Sequence, residues 1–178
     1  MIISVEEARN LIDDFKGWSS ERIQRKLKAI EQTIRSYTNN NFQKRAYRKT
    51  ANIVGGLFVV NEGVPFKVGD TVEVSESGLN AGLFTVSSVT DEYFTVEEDT
   101  TVDEAEVLVT KVEYPDDVID CAINLMEWEI KNRAKVGIQS ETLSRHSVTY
   151  FAQDANNQVM GYPVSLLGCL KAYRKARC

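Results

Sequence analysis

Few residues in this chain have types and spacing suited to catalysis. His146 is the only histidine, and Ser144 and Ser147 lie close to it in the sequence. A histidine beside a serine could act as the general base for a nucleophilic hydroxyl. The chain lacks the GxSxG turn that often presents such a serine, so we interpret His146 as a solvated or hydrogen-bonded loop residue. We therefore predict that the protein is not an enzyme.

Metal-binding patterns are equally weak. The three cysteines, Cys121, Cys169 and Cys178, show no CxxC spacing, so we expect neither a disulfide framework nor a zinc site. Acids that could bind calcium occur at Glu97, Glu98, Asp99, Asp103 and Glu104. They lack the DxDxDG spacing of an EF-hand, which favours a solvated acidic loop. We expect no metal and no other cofactor.

Charge is distributed unevenly along the 178 residues. Residues Ala51–Tyr114 contain 13 acids and 2 bases, a net −11, whereas the remainder contains 19 bases and 13 acids, a net +6. This asymmetry predicts two structural units, of which the acidic one should repel nucleic-acid phosphate. The chain shows neither a secretory signal nor a long apolar run, so we expect it to stay in the cytosol without membrane contact.

Apolar residues spaced three and four apart predict helices on both sides of the acidic segment. Ser4 and Glu7 form a capping-box pattern that begins a helix ending near Phe15. A second helix begins after Ser19 or Ser20, and Asn39–Asn41 end it because short amides favour turns. Its apolar seam consists of Ile23, Leu27, Ile30, Ile34 and Tyr37.

The segment Asp116–Arg133 is predicted to be a central helix. Its apolar residues cover more than half of the helix circumference, so other helices must pack on several sides of it. They are Val118, Ile119, Ala122, Ile123, Leu125, Met126 and Ile130. Downstream, Ser147–Phe151 reads as a strand in a hairpin or extended arm, and a last helix is predicted to begin at Tyr162–Pro163.

Between Ile53 and Val112 the hydrophobic period changes to two residues, which indicates strands. The predicted strands are Leu57–Val60, Thr71–Val74, Leu83–Val89, Tyr93–Val96 and Val107–Val112. Five or six short strands suit a small barrel. We therefore predict an α+β fold: a bundle of about four helices around the central helix, formed by residues 1–50 and 115–178, interrupted by an inserted antiparallel β-barrel at residues 51–114.

Several segments resemble the head-tail connector, or head-completion adaptor, proteins of tailed bacteriophages and prophages. These segments are Ile34–Gln43 (IRSYTNNNFQ), Pro115–Ile130 (PDDVIDCAINLMEWEI), Gly137–Phe151 (GIQSETLSRHSVTYF) and Tyr162–Lys175 (YPVSLLGCLKAYRK). Phe66–Val74 (FKVGDTVEV) and Asn80–Val89 (NAGLFTVSSV) resemble small barrels inserted into phage structural proteins.

This resemblance implies a virion structural protein without catalytic residues. It implies a ring of copies, usually twelve, that assembles in the bacterial host cytoplasm and lies in the virion neck below the portal protein. The ring would join the head to the next neck or tail-completion protein, and genomic DNA would pass through its channel without sequence recognition. The alternative function is a nucleic-acid-binding regulator that uses the basic helical part.

The resemblance also assigns candidate contact residues. The residues that would contact the portal are Leu166, Leu167, Leu170, Lys171, Tyr173, Arg174, Lys175 and Arg177. An extended arm that would add to a neighbouring copy consists of Ser147, Val148, Thr149, Tyr150 and Phe151.

Overall fold

A computed structural model of the protein describes residues 1–15, 17–132, 140–143, 146–149 and 158–176, with only the backbone described in 140–143 and 146–149. The chain divides into two units. Met1 and Asn41–Tyr114 form one, called the barrel unit below, and Ile2–Asn40 with Pro115–Cys178 form the other, called the helical unit.

The barrel unit is a closed antiparallel barrel of six strands. The strands are β1 (Gln43–Val54), β2 (Leu57–Val60), β3 (Thr71–Ser75), β4 (Gly82–Val89), β5 (Tyr93–Val96) and β6 (Glu104–Val112). Around the barrel their order is β1-β2-β5-β4-β3-β6, and β6 pairs with β1 to close it. Gly55 and Gly56, both with positive φ, connect β1 to β2 in the tight two-residue turn that suits a hairpin.

Alternating residues of these strands fill the barrel interior with apolar side chains. Phe58 stacks on Phe94 with ring centroids 4.8 Å apart. Phe66 and Phe94 meet edge to face, with ring centroids 5.2 Å apart. Val72, Val86 and other buried residues complete the cluster. Because the side chains occupy the interior, the barrel is a packed core.

The helical unit contains three α-helices in its described part: α1 (Val5–Leu11), α2 (Ser20–Thr38) and α3 (Asp116–Asn132). Two 3-10 helices lie at Asp13–Phe15 and Gly168–Tyr173. Short antiparallel pairs are formed by β7 (Ser140–Leu143) with β8 (His146–Thr149) and by β9 (Gln158–Val159) with β10 (Tyr162–Pro163).

Local sequence signals explain where α1 and α2 begin and end. The Ser4 hydroxyl accepts a hydrogen bond from the Glu7 backbone N–H while the Glu7 carboxylate accepts one from the Ser4 N–H, which confirms the predicted capping box. Ser19 caps α2, and Asn39 ends it in the left-handed conformation with a φ of 48°. The predicted seam of α2 is buried at Ile23, Leu27, Ile30 and Ile34.

The predicted fold class is wrong. The main element is a closed six-stranded barrel accompanied by few helices, not a bundle of about four helices with a barrel inserted into it. β1 begins at Gln43, so the basic residues Lys44–Lys49 belong to a barrel strand. The predicted last helix is instead β10 followed by turns and a 3-10 helix, because Gly161 adopts a positive φ and Pro163 cannot donate a ladder hydrogen bond.

The cysteine prediction also needs correction. Cys121 of α3 and Cys169 of the Gly168–Tyr173 3-10 helix form a disulfide, with Cα atoms 6.5 Å apart. Their separation of 48 positions gives no local spacing signal, and only the fold brings them together. Cys121 is buried, whereas Cys169 is exposed.

Candidate interaction surface on the barrel

The loops at one end of the barrel are fixed by a single carboxylate. Glu104, the first residue of β6, accepts hydrogen bonds from the Ser77 hydroxyl at 2.5 Å, the Asn80 amide at 2.7 Å and the Gly78 backbone N–H at 2.7 Å. The Ser77 hydrogen bond contributes most to lowering the pKa of Glu104 to about 2. Glu104 therefore stays ionised and ties the loop between β3 and β4 to the start of β6.

Asn80 extends this network to the loop between β5 and β6. Its side-chain amide donates to the Val102 carbonyl at 2.9 Å, and its side-chain oxygen accepts from the Val102 N–H at 2.8 Å. The side chain is buried, so these bonds replace water that it cannot reach. One asparagine therefore connects two loops through the backbone groups of a single residue.

Other acids of the stretch that was predicted to be a solvated acidic loop are also hydrogen-bonded to backbone. Asp103 accepts from the Gly55 N–H at 2.7 Å, and Glu98 accepts from the Thr85 N–H at 3.0 Å. Each carboxylate fixes a turn or strand end of the barrel unit. Within the ranges that the structure describes, no group of three or more histidine, cysteine or acidic side chains is arranged to hold a metal ion.

The most unusual surface lies where β1 begins. Gln43 pairs with Val112 and Arg48 with Thr110, so the four residues Lys44–Tyr47 lie opposite the single β6 residue Lys111. This wide bulge is exposed throughout. We call Lys44–Thr50 the β1 edge.

Aromatic and basic groups meet at this bulge. The Tyr47 ring is 39% exposed, and the ammonium groups of Lys44 and Lys111 lie 5.3 Å and 5.9 Å from its centroid. Lys111 also contacts Asp70 at 2.7 Å, and Lys44 forms an ion pair with Glu113. The arrangement is a solvent-facing aromatic ring flanked by two cations, each of which is paired with an acid.

The helical unit has a buried polar cluster of a different kind. Glu129 of α3 accepts hydrogen bonds from the Lys26 ammonium and the Tyr162 hydroxyl. Tyr162 also packs on Trp128 with ring centroids 5.5 Å apart. Because Glu129 and Tyr162 are both buried and bonded to each other, their polar groups are satisfied inside the helical unit.

The predicted portal-contacting residues divide into core and surface. Leu167 and Leu170 are fully buried, and Leu166 is partly exposed. The Tyr173 hydroxyl donates to the Asp117 carboxylate, and the Lys175 backbone N–H donates to the Thr38 carbonyl. The exposed bases are Lys171, Arg174 and Lys175. Arg177 lies outside the described residues.

The predicted arm is described only in part. The backbones of Ser147, Val148 and Thr149 belong to β8 and pair with β7. Tyr150 and Phe151 lie outside the described residues, as does Ser144. His146 begins β8, and its backbone pairs with that of Leu143.

Sequence patterns missed the β1 edge and Asn80. The stretch Lys44–Lys49 has no alternation of apolar and polar residues, because four of its residues are bulged and exposed. A Ser-x-x-Asn spacing at Ser77 and Asn80 indicates a turn, but not that its asparagine reaches Val102.

No helix in the described ranges has both the length and the apolar character needed to cross a membrane.

Comparison with protein families places the similarity of this chain in its barrel. Residues 49–121 match the family model of the mechanosensitive ion channel β-domain. The match covers the second half of β1, the other five barrel strands and the start of α3. This match covers less than half of the chain. Comparison with curated proteins gave no match.

The family match contradicts the resemblance to phage head-tail connectors and the functions inferred from it. The predicted head-tail adaptor and the alternative nucleic-acid-binding regulator are both wrong. The predicted partners are also wrong: a ring of twelve copies, a portal protein, a tail-completion protein, and DNA that passes through the ring, with no membrane. The predicted location in a virion neck is wrong as well. The portal and arm roles of the residues above depended on that resemblance. The barrel is instead similar in sequence to the β-domain of mechanosensitive ion channels.

Proposed function

We propose that this chain provides a non-catalytic β-domain of the mechanosensitive-channel type, which helps copies of a membrane-associated channel assembly to hold together. The observation that carries this proposal is the match of residues 49–121 to that β-domain family, because the match includes β2 to β6 and the second half of β1, which belong to one closed barrel. The proposal includes an oligomeric state and a membrane-associated location.

The architecture of the barrel supports a structural role. Its interior is filled largely by phenylalanine and valine side chains, so it leaves no cavity of the size that usually binds a small-molecule substrate. Its loops are locked by Glu104 and Asn80, and a rigid surface loses little conformational entropy when it associates. The absence of enzymatic activity is part of the proposal.

Membrane fractionation and cross-linking of the full chain in intact bacterial cells test this function. We expect the chain to sediment with membranes and to give cross-linked products at whole-number multiples of the monomer mass. The variant Phe94→Ala disrupts the barrel core. It should reduce both signals while an antibody against the helical unit still detects the chain. A chain that stays in the soluble fraction and yields only monomer would contradict the proposal.

A further inference from the structure

The β1 edge is open on the side where the barrel wall would continue toward β2. β2 pairs with β1 only over Ala51–Val54, and β6 pairs with its other side at Arg48–Ala51. Across the described part of the chain, no strand pairs with the β2-facing side of Lys44–Thr50. A barrel that is closed elsewhere therefore leaves one segment of β1 without a strand partner on this side among the described residues.

Backbone alternation indicates which groups face this open side. The two-residue turn makes Val54 and Leu57 the hydrogen-bonded pair that closes the hairpin. Every second residue from Val54 then faces the same way, so we expect Thr50 and Arg48 to direct their N–H and C=O groups toward the open side. These groups are the ones that an added strand would use.

The charge of this edge contrasts with the rest of the barrel unit. Between Asn41 and Tyr114 there are six bases, and four of them lie in the β1 edge. These four are Lys44, Arg45, Arg48 and Lys49. The same range contains 13 acids, all of them outside the edge. The edge is thus a local basic strip on an acidic unit.

Individual contacts show which bases are available. Arg48 is held by the Thr110 hydroxyl and the Gln43 amide oxygen, and Lys49 contacts Glu62. Arg45 is exposed and forms no ion pair with any residue that the structure describes. Tyr47 lies two residues further along the chain and is partly exposed.

We propose that the β1 edge is a docking site for an extended acidic segment of a partner protein, which adds as a strand beside Arg48–Thr50. The partner's backbone pairs with the open side of β1, and its carboxylates contact Arg45 beside the exposed Tyr47. A second copy of the same edge is disfavoured as the occupant, because antiparallel pairing would set bases opposite bases. Charge complementarity therefore selects an acidic partner.

Fluorescence anisotropy with the full chain tests this site. The probe is a labelled synthetic peptide of about eight alternating glutamate and threonine residues, a typical strand length. We expect binding at low ionic strength that weakens with added salt. Arg45→Glu should weaken the affinity about fivefold or more, because the variant reverses an exposed charge at the site. Lys67→Glu makes the same charge change in an exposed loop and serves as the matched control.

A second probe separates strand addition from simple charge attraction. The same peptide with alternate backbone nitrogens methylated keeps every carboxylate but cannot form the ladder, so its affinity should fall by about tenfold. Equal affinities of the two peptides, equal effects of Arg45→Glu and Lys67→Glu, or no binding at low salt would each overturn the proposal. Self-association abolished by Arg45→Glu, together with no peptide binding, would identify another copy as the occupant and also overturn it.

Discussion

The Asn80→Ala variant tests whether the loops of the barrel are locked as the structure shows. The asparagine side chain donates to the Val102 carbonyl and the Glu104 carboxylate and accepts from the Val102 N–H, at 2.7–2.9 Å. A hydrogen bond of this kind contributes about 0.5–1.5 kcal/mol, and these three are made by a buried side chain. We therefore expect the free energy of unfolding to fall by about 2–3 kcal/mol.

Urea unfolding followed by far-ultraviolet circular dichroism measures this change, with the m value checked for constancy. Asn61→Ala is the matched control, because Asn61 is exposed in the turn after β2 and no side-chain hydrogen bond is described for it. We expect the control to lie within about 0.5 kcal/mol of the unmodified chain. A loss for Asn80→Ala no larger than that of the control would refute the reasoning about the loop network.

Three further predictions follow from the structure. Phe94→Ala should cost about 3–5 kcal/mol by calorimetry, because Phe94 is fully buried between two other rings; a loss below about 1 kcal/mol would contradict the packed barrel. The folded-state pKa of Glu104 is lowered from 4.5 to about 2, so the stabilisation by its carboxylate is fully present above pH 4.5 and is lost as the pH falls toward about 2. Glu104→Gln should therefore flatten this part of the plot of unfolding free energy against pH, and an unchanged plot would contradict the assignment. Reduction of the Cys121–Cys169 disulfide should lower the free energy of unfolding by up to about 4 kcal/mol, since the bridge closes a long loop; Cys169→Ser should remove the effect of reductant, and a reductant effect that persists would contradict the pairing.

The strands of the barrel were predictable because their side chains obey a simple rule. β2 to β6 each place alternate apolar residues in one interior, so a period of two residues marks them in the sequence. The predicted strands Leu57–Val60 and Tyr93–Val96 have the bounds of β2 and β5, and β3 differs from its prediction by one residue, Ser75. Local hydrogen bonds likewise made the starts of α1 and α2 predictable.

The features that define the candidate surface were not predictable in this way. β1 begins with a bulge whose exposed residues carry no alternating pattern, so the barrel started at Ala51 in the prediction and starts at Gln43 in the structure. Closure by β6 pairing with β1 is a long-range contact, and so is the Cys121–Cys169 pair. Neither leaves a local signal in the sequence.

The resemblance to head-tail connectors failed for a related reason. It rested mainly on helical segments without chemically specific residues, and amphipathic helices share apolar spacing across unrelated folds. The Tyr162–Lys175 segment illustrates this, because its apolar spacing suggested an α-helix while it forms β10 and a 3-10 helix. The family match instead lies in the barrel segment, which the resemblance had treated as an accessory.

The division of the chain at residues 51 and 114 stays a prediction about folding units. Limited proteolysis that leaves a stable fragment beginning near Gln43 would favour the boundary at the start of β1, whereas one beginning near Ala51 would favour the predicted boundary.

The most direct test of the proposed function is to transplant the barrel. Residues 43–112 would replace the β-domain of an established mechanosensitive channel, and the chimaera would be studied in membrane patches under tension. We expect the chimaera to assemble at the size of the recipient channel and to open under tension. A chimaera whose barrel is folded by circular dichroism but which fails to assemble in the membrane would contradict the central claim.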